Sequence, residues 1–230
     1  MPDKHTTTAV GGAHYRIIPT KFPPINFFER YTPPELMDEA YELESLTNER
    51  LLNEIGQLNL IPNEDRISGP GASIIMAAFT HIGFASRFTD GSFGVYYAAN
   101  SLKTAIYETT YHRERFLSAT SELPCELDMR AYKGEVLKPL VDIRGDGFED
   151  ILDMEPSRYQ AAQIFAAEKR AEKHWGIVYP SVRDKTGQCI AVFRPPALSI
   201  PVQSAHLSYH WNGQKINAVF EKTSLLLDQN

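Results

Sequence analysis

The dipeptide Asn212-Gly213 constrains the fold most, because it lies between two strand-like segments, residues 205–211 and 214–220. Asn-Gly in this setting is a strong signal for an antiparallel hairpin, since both residues tolerate the positive φ angles of tight turns. Further segments rich in β-branched and aromatic residues predict strands at 14–18, 94–99, 126–129, 135–143, 177–179 and 189–193. A turn near Lys133-Gly134 is expected to separate the third of these strands from the fourth.

Helical patterns alternate with these strands. Ser101 is a suitable N-cap for a helix that continues to about residue 117. The apolar run at 72–79 predicts a short buried helix, although a run of this length also suits a strand. An alanine-rich segment at 157–175, which Gly176 would close, predicts a further helix.

The first 62 residues differ in pattern from the rest of the chain. Thr32, Pro33 and Glu35 have the spacing of a capping box and predict one long helix that ends near Gly56. A chain of 230 residues with 43% hydrophobic content suits one domain with an added segment. We therefore expect an N-terminal extension at 1–62 and a main domain at 63–230 that together form one compact unit. The predicted class is α+β, with a mixed, largely antiparallel sheet core and flanking helices.

The charge balance bears on possible partners. The 23 Lys and Arg residues against 29 Asp and Glu give a net charge of −6, which disfavours direct binding to nucleic acid. Cys125 and Cys189 are the only cysteines and form no C-x-x-C pair, so we expect neither a disulfide framework nor a zinc site. The absence of a signal-like or membrane-spanning apolar run leads us to expect a cytoplasmic protein with no membrane partner.

Several short motifs match common functional patterns poorly. The run from Gly69 to Ser73 precedes a predicted helix but fits no phosphate-binding loop, so an ordinary loop is favoured. His206 and His210 share one face of a predicted strand, but no third ligand for a metal can be named. No G-x-S-x-G elbow is present, which argues against serine hydrolase chemistry.

A set of polar side chains remains, namely Arg87, Tyr97 in a predicted strand, Glu108 in the following helix, and Ser181 far along the chain. Spacing alone favours a structural interpretation, in which Arg87 and Glu108 form an ion pair, Tyr97 packs in the core and Ser181 caps a turn. Strand-to-helix junctions also bring such side chains together around one crevice, so a binding site stays open.

The segment 83–108 resembles the core of the RES domain family. Ser86-Arg87-Phe88 is similar to the arginine motif of that family, and Thr104-Ala105 with Glu108 is similar to its T-A-x-x-E motif. The run from Trp175 to Ser181 is similar to the later segment that carries the serine. The resemblance covers about residues 69–195, and Tyr15-Arg16-Ile17 is similar to the opening arginine strand of the family.

The resemblance implies an ADP-ribosyltransferase-like fold and a toxin that degrades NAD, by hydrolysis or phosphorolysis, and is blocked by an Xre-type helix-turn-helix antitoxin. NAD is then a substrate, no cofactor is needed, and inorganic phosphate is a possible co-substrate. Arg87, Glu108 and Ser181 would be catalytic, while Arg16, Tyr97 and Arg87 would bind NAD. Arg16, Lys103 and Arg183 are the candidates for holding phosphate. Transfer of ADP-ribose to a protein and a catalytically silent binding module stay open as alternatives, as does a homo-oligomer.

Overall fold

The computed structural model describes residues 6–20, 26–29, 33–45 and 55–223. Nine strands in these ranges form one sheet, in the order β1-β5-β6-β7-β3-β2-β4-β8-β9. The strands are β1 (Thr7–Thr8), β2 (Ala13–Pro19), β3 (Tyr96–Ala99), β4 (Cys125–Glu135), β5 (Leu140–Asp142), β6 (Gly176–Pro180), β7 (Gln188–Val192), β8 (Val202–Trp211) and β9 (Ile216–Lys222). The β5–β6 pair is parallel and the other pairs are antiparallel. The predicted α+β class with a mixed, largely antiparallel sheet is therefore confirmed.

Helices cover both faces of the sheet. They are α1 (Asn26–Glu29), α2 (Met37–Ser45), α3 (Ala72–Thr80), α4 (Leu102–Ala119) and α5 (Gln160–Ala171). Buried side chains of α4 and α5 pack on one face, and those of α1 to α3 pack on the other. None of the helices in the described ranges is long and apolar enough to cross a bilayer.

Local sequence signals located several elements correctly. The N-cap Ser101 accepts a hydrogen bond from the Thr104 N–H at 3.0 Å, and the helix at 72–79 forms as α3. The predicted hairpin is β8–β9, with His210 opposite Ala218. Thr32 lies outside the described residues, so the capping box is not observed, and Pro33 precedes a 3₁₀ turn that leads into α2.

Two predicted boundaries are wrong. The first is wrong because of packing between strands, and the second because of local backbone conformation. The chain does not turn at Lys133-Gly134, because β4 continues through both residues. A Cβ on Gly134 would lie 3.0 Å from His14 Cε1, so glycine allows close packing there. Helix α5 ends at Ala171 and does not continue to Gly176. After it, Lys173 takes the left-handed conformation with φ 64°, and the His174 N–H donates to the Lys169 carbonyl.

The N-terminal strand β2 lies in the middle of the sheet, between β3 and β4. It pairs with β4 along its whole length, from Ala13 opposite Glu135 to Pro19 opposite Met129. Its pairing with β3 is confined to Tyr15 opposite Ala99. Strands β2 and β3 therefore diverge beyond that point, and the sheet opens into a cleft.

Candidate active site

A cavity of about 1060 Å³ occupies this cleft. Its wall combines β2 and β3 with α3, α4 and the segment that follows β6. The volume lies just above the usual range for small-molecule pockets, which is about 300–1,000 Å³. Every candidate site residue from the sequence lines the cavity except Ser181 and Lys103, and Ser181 contacts a lining residue. Lys103 is exposed, with its ammonium 5.6 Å from the centre of the Tyr107 ring.

Glu108 projects from α4 and is held by Ser181. The Ser181 hydroxyl donates to Glu108 Oε1 at 2.5 Å and accepts the backbone N–H groups of Asp184 at 2.9 Å and Arg183 at 3.2 Å. Because two N–H donors fill the lone pairs of this hydroxyl, its proton is directed at the carboxylate. Ser181 therefore acts by orienting Glu108.

The loop after β6 is tied to the start of α4. Asp184 accepts the Thr104 hydroxyl at 2.9 Å, four residues before Glu108 on the same helix. A Cβ on Gly187 would lie 2.4 Å from Thr104 Cγ2, so only glycine allows this approach. The arrangement fixes Ser181 relative to Glu108, although the two residues are 73 positions apart in the chain.

Arg87 is 7% exposed and bonds to protein acceptors rather than to Glu108. Its guanidinium donates to the carbonyls of Asp153 at 2.5 Å and Ile151 at 3.4 Å, and to the Tyr159 hydroxyl at 3.3 Å. The guanidinium carbon also lies 4.5 Å from the centre of the Tyr159 ring. The Arg87–Glu108 ion pair of the structural interpretation is therefore not formed, and Arg87 holds the segment before α5 against the cavity.

Arg16 on β2 and Tyr97 on β3 lie where these two strands diverge. The Tyr97 hydroxyl pairs with Ser86 Oγ at 2.7 Å and accepts the Phe88 N–H at 3.0 Å, and burial raises its pKa to about 12. It therefore stays protonated at neutral pH. Arg16 reaches across the gap to the Tyr97 carbonyl at 3.1 Å and stacks over the Tyr96 ring at 4.5 Å. Its buried Nε has no hydrogen-bond partner among the described residues.

Further polar residues of the cavity were not identified from the sequence, among them His112, Arg113 and Cys189. His112 and Arg113 follow Glu108 on α4, and Cys189 faces the carboxylate from β7. Helical spacing from Glu108 could have indicated His112, which lies one turn later. Its pKa is lowered to about 4, first by desolvation in the cavity wall and then by nearby arginines that include Arg183.

The charges of the cavity wall are mostly unpaired. Arg16, Arg87, Arg113 and Arg183 line it, and none forms an ion pair with a described carboxylate. Arg183 stacks on the Tyr111 ring at 3.5 Å and donates to the Met154 carbonyl at 3.0 Å. Uncompensated arginines in a concave site favour an anionic ligand, most of all one that offers phosphate oxygens.

The other motifs have structural partners. The Glu29 carboxylate accepts the N–H groups of Gly71 at 2.5 Å and Ser73 at 3.2 Å, so the N-terminus of α3 is already capped. His206 pairs with Gln203, and His210 with Asn217. In the described part of the chain, no group of three His, Cys, Asp or Glu side chains is arranged to hold a metal ion.

Comparisons with known proteins identify the family. The model of the RES domain matches residues 64–212, which is more than half of the chain. An uncharacterized protein of Sinorhizobium fredii (strain NBRC 101917 / NGR234), y4oC, is 30% identical over 213 residues, covering 92% of this chain and 88% of the relative. The crystal structure of the M. tuberculosis MbcT-MbcA toxin-antitoxin complex contains a chain that aligns at 10% identity and a TM-score of 0.42, with 86% of each chain covered. On the family match and the y4oC relative, the chain belongs to the RES domain family.

Proposed function

We propose that this protein binds NAD in the cavity and cleaves the bond between nicotinamide and ribose. The observation that carries the proposal is the setting of Glu108, whose carboxylate is oriented by Ser181 and is the one acidic group of the cavity wall among the described residues. The arginines of the cavity wall favour a ligand with anionic oxygens, such as a pyrophosphate. The resemblance to NAD-degrading RES proteins supports the same substrate.

Cleavage of the bond between nicotinamide and ribose needs little help from a general acid. When the bond between the ribose C1′ and the nicotinamide nitrogen breaks, the electron pair returns to the cationic ring and nicotinamide leaves as a neutral molecule. The cost lies in the oxocarbenium-like ribose that remains, as in glycoside cleavage. Glu108 would stabilise this positive charge and hold the ribose hydroxyls. Arg16 would bind the pyrophosphate, because its guanidinium spans the cleft with donors left over.

We place phosphorolysis ahead of hydrolysis as the second half of the reaction. Phosphate is an anion and needs cationic groups of its own beside Glu108, whereas water needs only space. Arg113 and Arg183 are available in the wall in addition to Arg16 and Arg87. In phosphorolysis a phosphate oxygen bonds to C1′ and gives phosphorylated ADP-ribose. In hydrolysis water adds, loses a proton and gives ADP-ribose.

We further propose that the enzyme is the toxin of a toxin–antitoxin pair. The RES resemblance implies a helix-turn-helix antitoxin of the Xre type that blocks the cavity. This antitoxin would also make the DNA contacts, which this acidic chain is poorly suited to make itself. The expected cytoplasmic location fits a substrate of the cell interior and stays a prediction.

The decisive experiment incubates purified protein with NAD and identifies products by mass spectrometry. We expect nicotinamide release, with faster NAD loss in phosphate than in a phosphate-free buffer of matched ionic strength. Glu108→Gln should lower kcat by on the order of a hundredfold, because one charge interaction is lost from the transition state. Glu168→Gln, at an exposed glutamate of α5, is the matched control and should retain wild-type kcat.

Other products would assign other reactions. Equal rates in both buffers with plain ADP-ribose as the product would make the protein a hydrolase. ADP-ribose bound to protein would make it a transferase. Unchanged NAD would indicate a binding module and would refute the proposed function.

A further inference from the structure

The two oxygens of Glu108 have different surroundings. Oε1 accepts the Ser181 hydroxyl at 2.5 Å, and Cys189 Sγ lies 3.8 Å from the same oxygen. Oε2 accepts no hydrogen bond from the residues that the structure describes. One oxygen is thus held by the protein, and the other is left for a ligand.

The backbone of Cys189 is held in place by strand pairing on both sides. It lies on β7 in the interior of the sheet, opposite Ala99 on β3 and Tyr179 on β6, and it is 3% exposed. Hydrogen-bonded strands on both sides therefore set the position of its Cα. The side chain forms part of the cavity wall, directly across from Glu108.

The thiol can act as a donor to the carboxylate. Burial, and then the neighbouring Glu108 charge, raise the pKa of Cys189, so its proton stays on sulfur at neutral pH. An S–H group is a weak hydrogen-bond donor, and a carboxylate is the strongest acceptor available to it here. Ser181 and Cys189 thus approach Oε1 from the β6–β7 side of the cavity.

We infer that Cys189 is a positioning residue that, together with Ser181, fixes Oε1 of Glu108 and turns Oε2 toward the ribose. The inference rests on the proposed NAD cleavage for its kinetic consequence, but the contact itself does not. A carboxylate held by two donors has fewer orientations to lose when the transition state forms. Cys189 acts through Glu108 and needs no contact with substrate.

The kinetic test compares Cys189→Ala and Cys189→Ser with Cys125→Ala, which removes the other, exposed cysteine. We expect Cys189→Ala to lower kcat about fivefold, the effect of one lost weak hydrogen bond, with KM for NAD unchanged. Cys189→Ser keeps a donor of similar size and should restore most of kcat, while Cys125→Ala should match wild type. Circular dichroism and the Tm of each variant confirm that it is folded.

An infrared measurement tests the contact without any turnover. In the Cys125→Ala protein the S–H stretching band belongs to Cys189 alone, and Glu108→Ala should move it to higher frequency because the acceptor is gone. An unmoved band, or equal kcat in Cys189→Ala and the folded control, would overturn the inference. Equal losses of kcat in the Ser and Ala variants would also overturn it, since packing and not the donor would then matter. A moved band in a protein that leaves NAD intact would refute the proposed function while upholding the contact.

Discussion

Arg113 is a residue whose environment is better explained by a ligand than by the fold. It lines the cavity, is half-buried, and makes no hydrogen bond or ion pair with the residues described. Burial lowers its pKa, which reflects the cost of desolvating an unpaired cation. Such a group destabilises the free protein and is expected to be compensated when an anion binds.

Arg113→Ala should therefore weaken binding without weakening the fold. We expect the Kd for NAD, measured calorimetrically in the slow Glu108→Gln background, to rise by roughly ten- to a hundredfold for the loss of a charge-assisted hydrogen bond. The Tm of the variant should equal or exceed that of wild type. Arg115→Ala, at an exposed arginine two positions later, is the control and should change neither quantity. A lower Tm with an unchanged Kd would assign Arg113 a structural role.

At the level of elements, the link between α4 and the loop after β6 determines whether Glu108 and Ser181 meet. Thr104→Val removes the hydroxyl that bonds to Asp184 and to Ser101 Oγ, preserves side-chain shape, and leaves the bond from the Thr104 backbone N–H to Ser101 Oγ in place. We expect kcat to fall about tenfold, since losing one donor to a carboxylate costs on the order of 1–3 kcal/mol. Hydrogen exchange in residues 181–187 should become faster.

Thr120→Val is the matched control for this prediction. Thr120 follows the end of the same helix, and its exposed hydroxyl bonds to the Phe116 carbonyl, far from the loop. It should leave both kcat and the exchange rates unchanged. A Thr104→Val protein with wild-type kcat would show that the loop keeps Ser181 in place without α4.

The same elements show which features could be predicted from the sequence. The Ser101 cap and the Asn212-Gly213 hairpin depend on neighbouring residues, so local patterns located them. Gly134 misled the prediction because its role is to accommodate His14 from another strand. The cavity wall depends on sheet register, which sets Cys189 opposite Tyr179, and no local pattern carries that information. Family resemblance indicated Glu108 and Ser181, which the structure brings into contact, whereas the contact of Cys189 with Glu108 and the place of Arg113 in the cavity wall required coordinates.

For the whole molecule, the proposed toxin activity predicts a phenotype. Expression of the chain in bacteria without an antitoxin should arrest growth and deplete cellular NAD. No antitoxin would then block the cavity in which NAD is proposed to bind. Glu108→Gln should be tolerated at the same protein level, and Glu168→Gln should be as harmful as wild type. Growth rate and extracted NAD are the measurements. Arrest with normal NAD would point to a different target.

The central place of β2 in the sheet also determines when the cavity can first form during synthesis. This strand is synthesised before the elements it needs, since its partner β4 ends at Glu135 and the wall opposite Glu108 is supplied at Cys189. Pairings between such distant segments form late, because loop closure must precede them. A nascent chain therefore carries no complete cavity until Cys189 has been translated, and a product that terminates before this residue would lack the proposed NAD site.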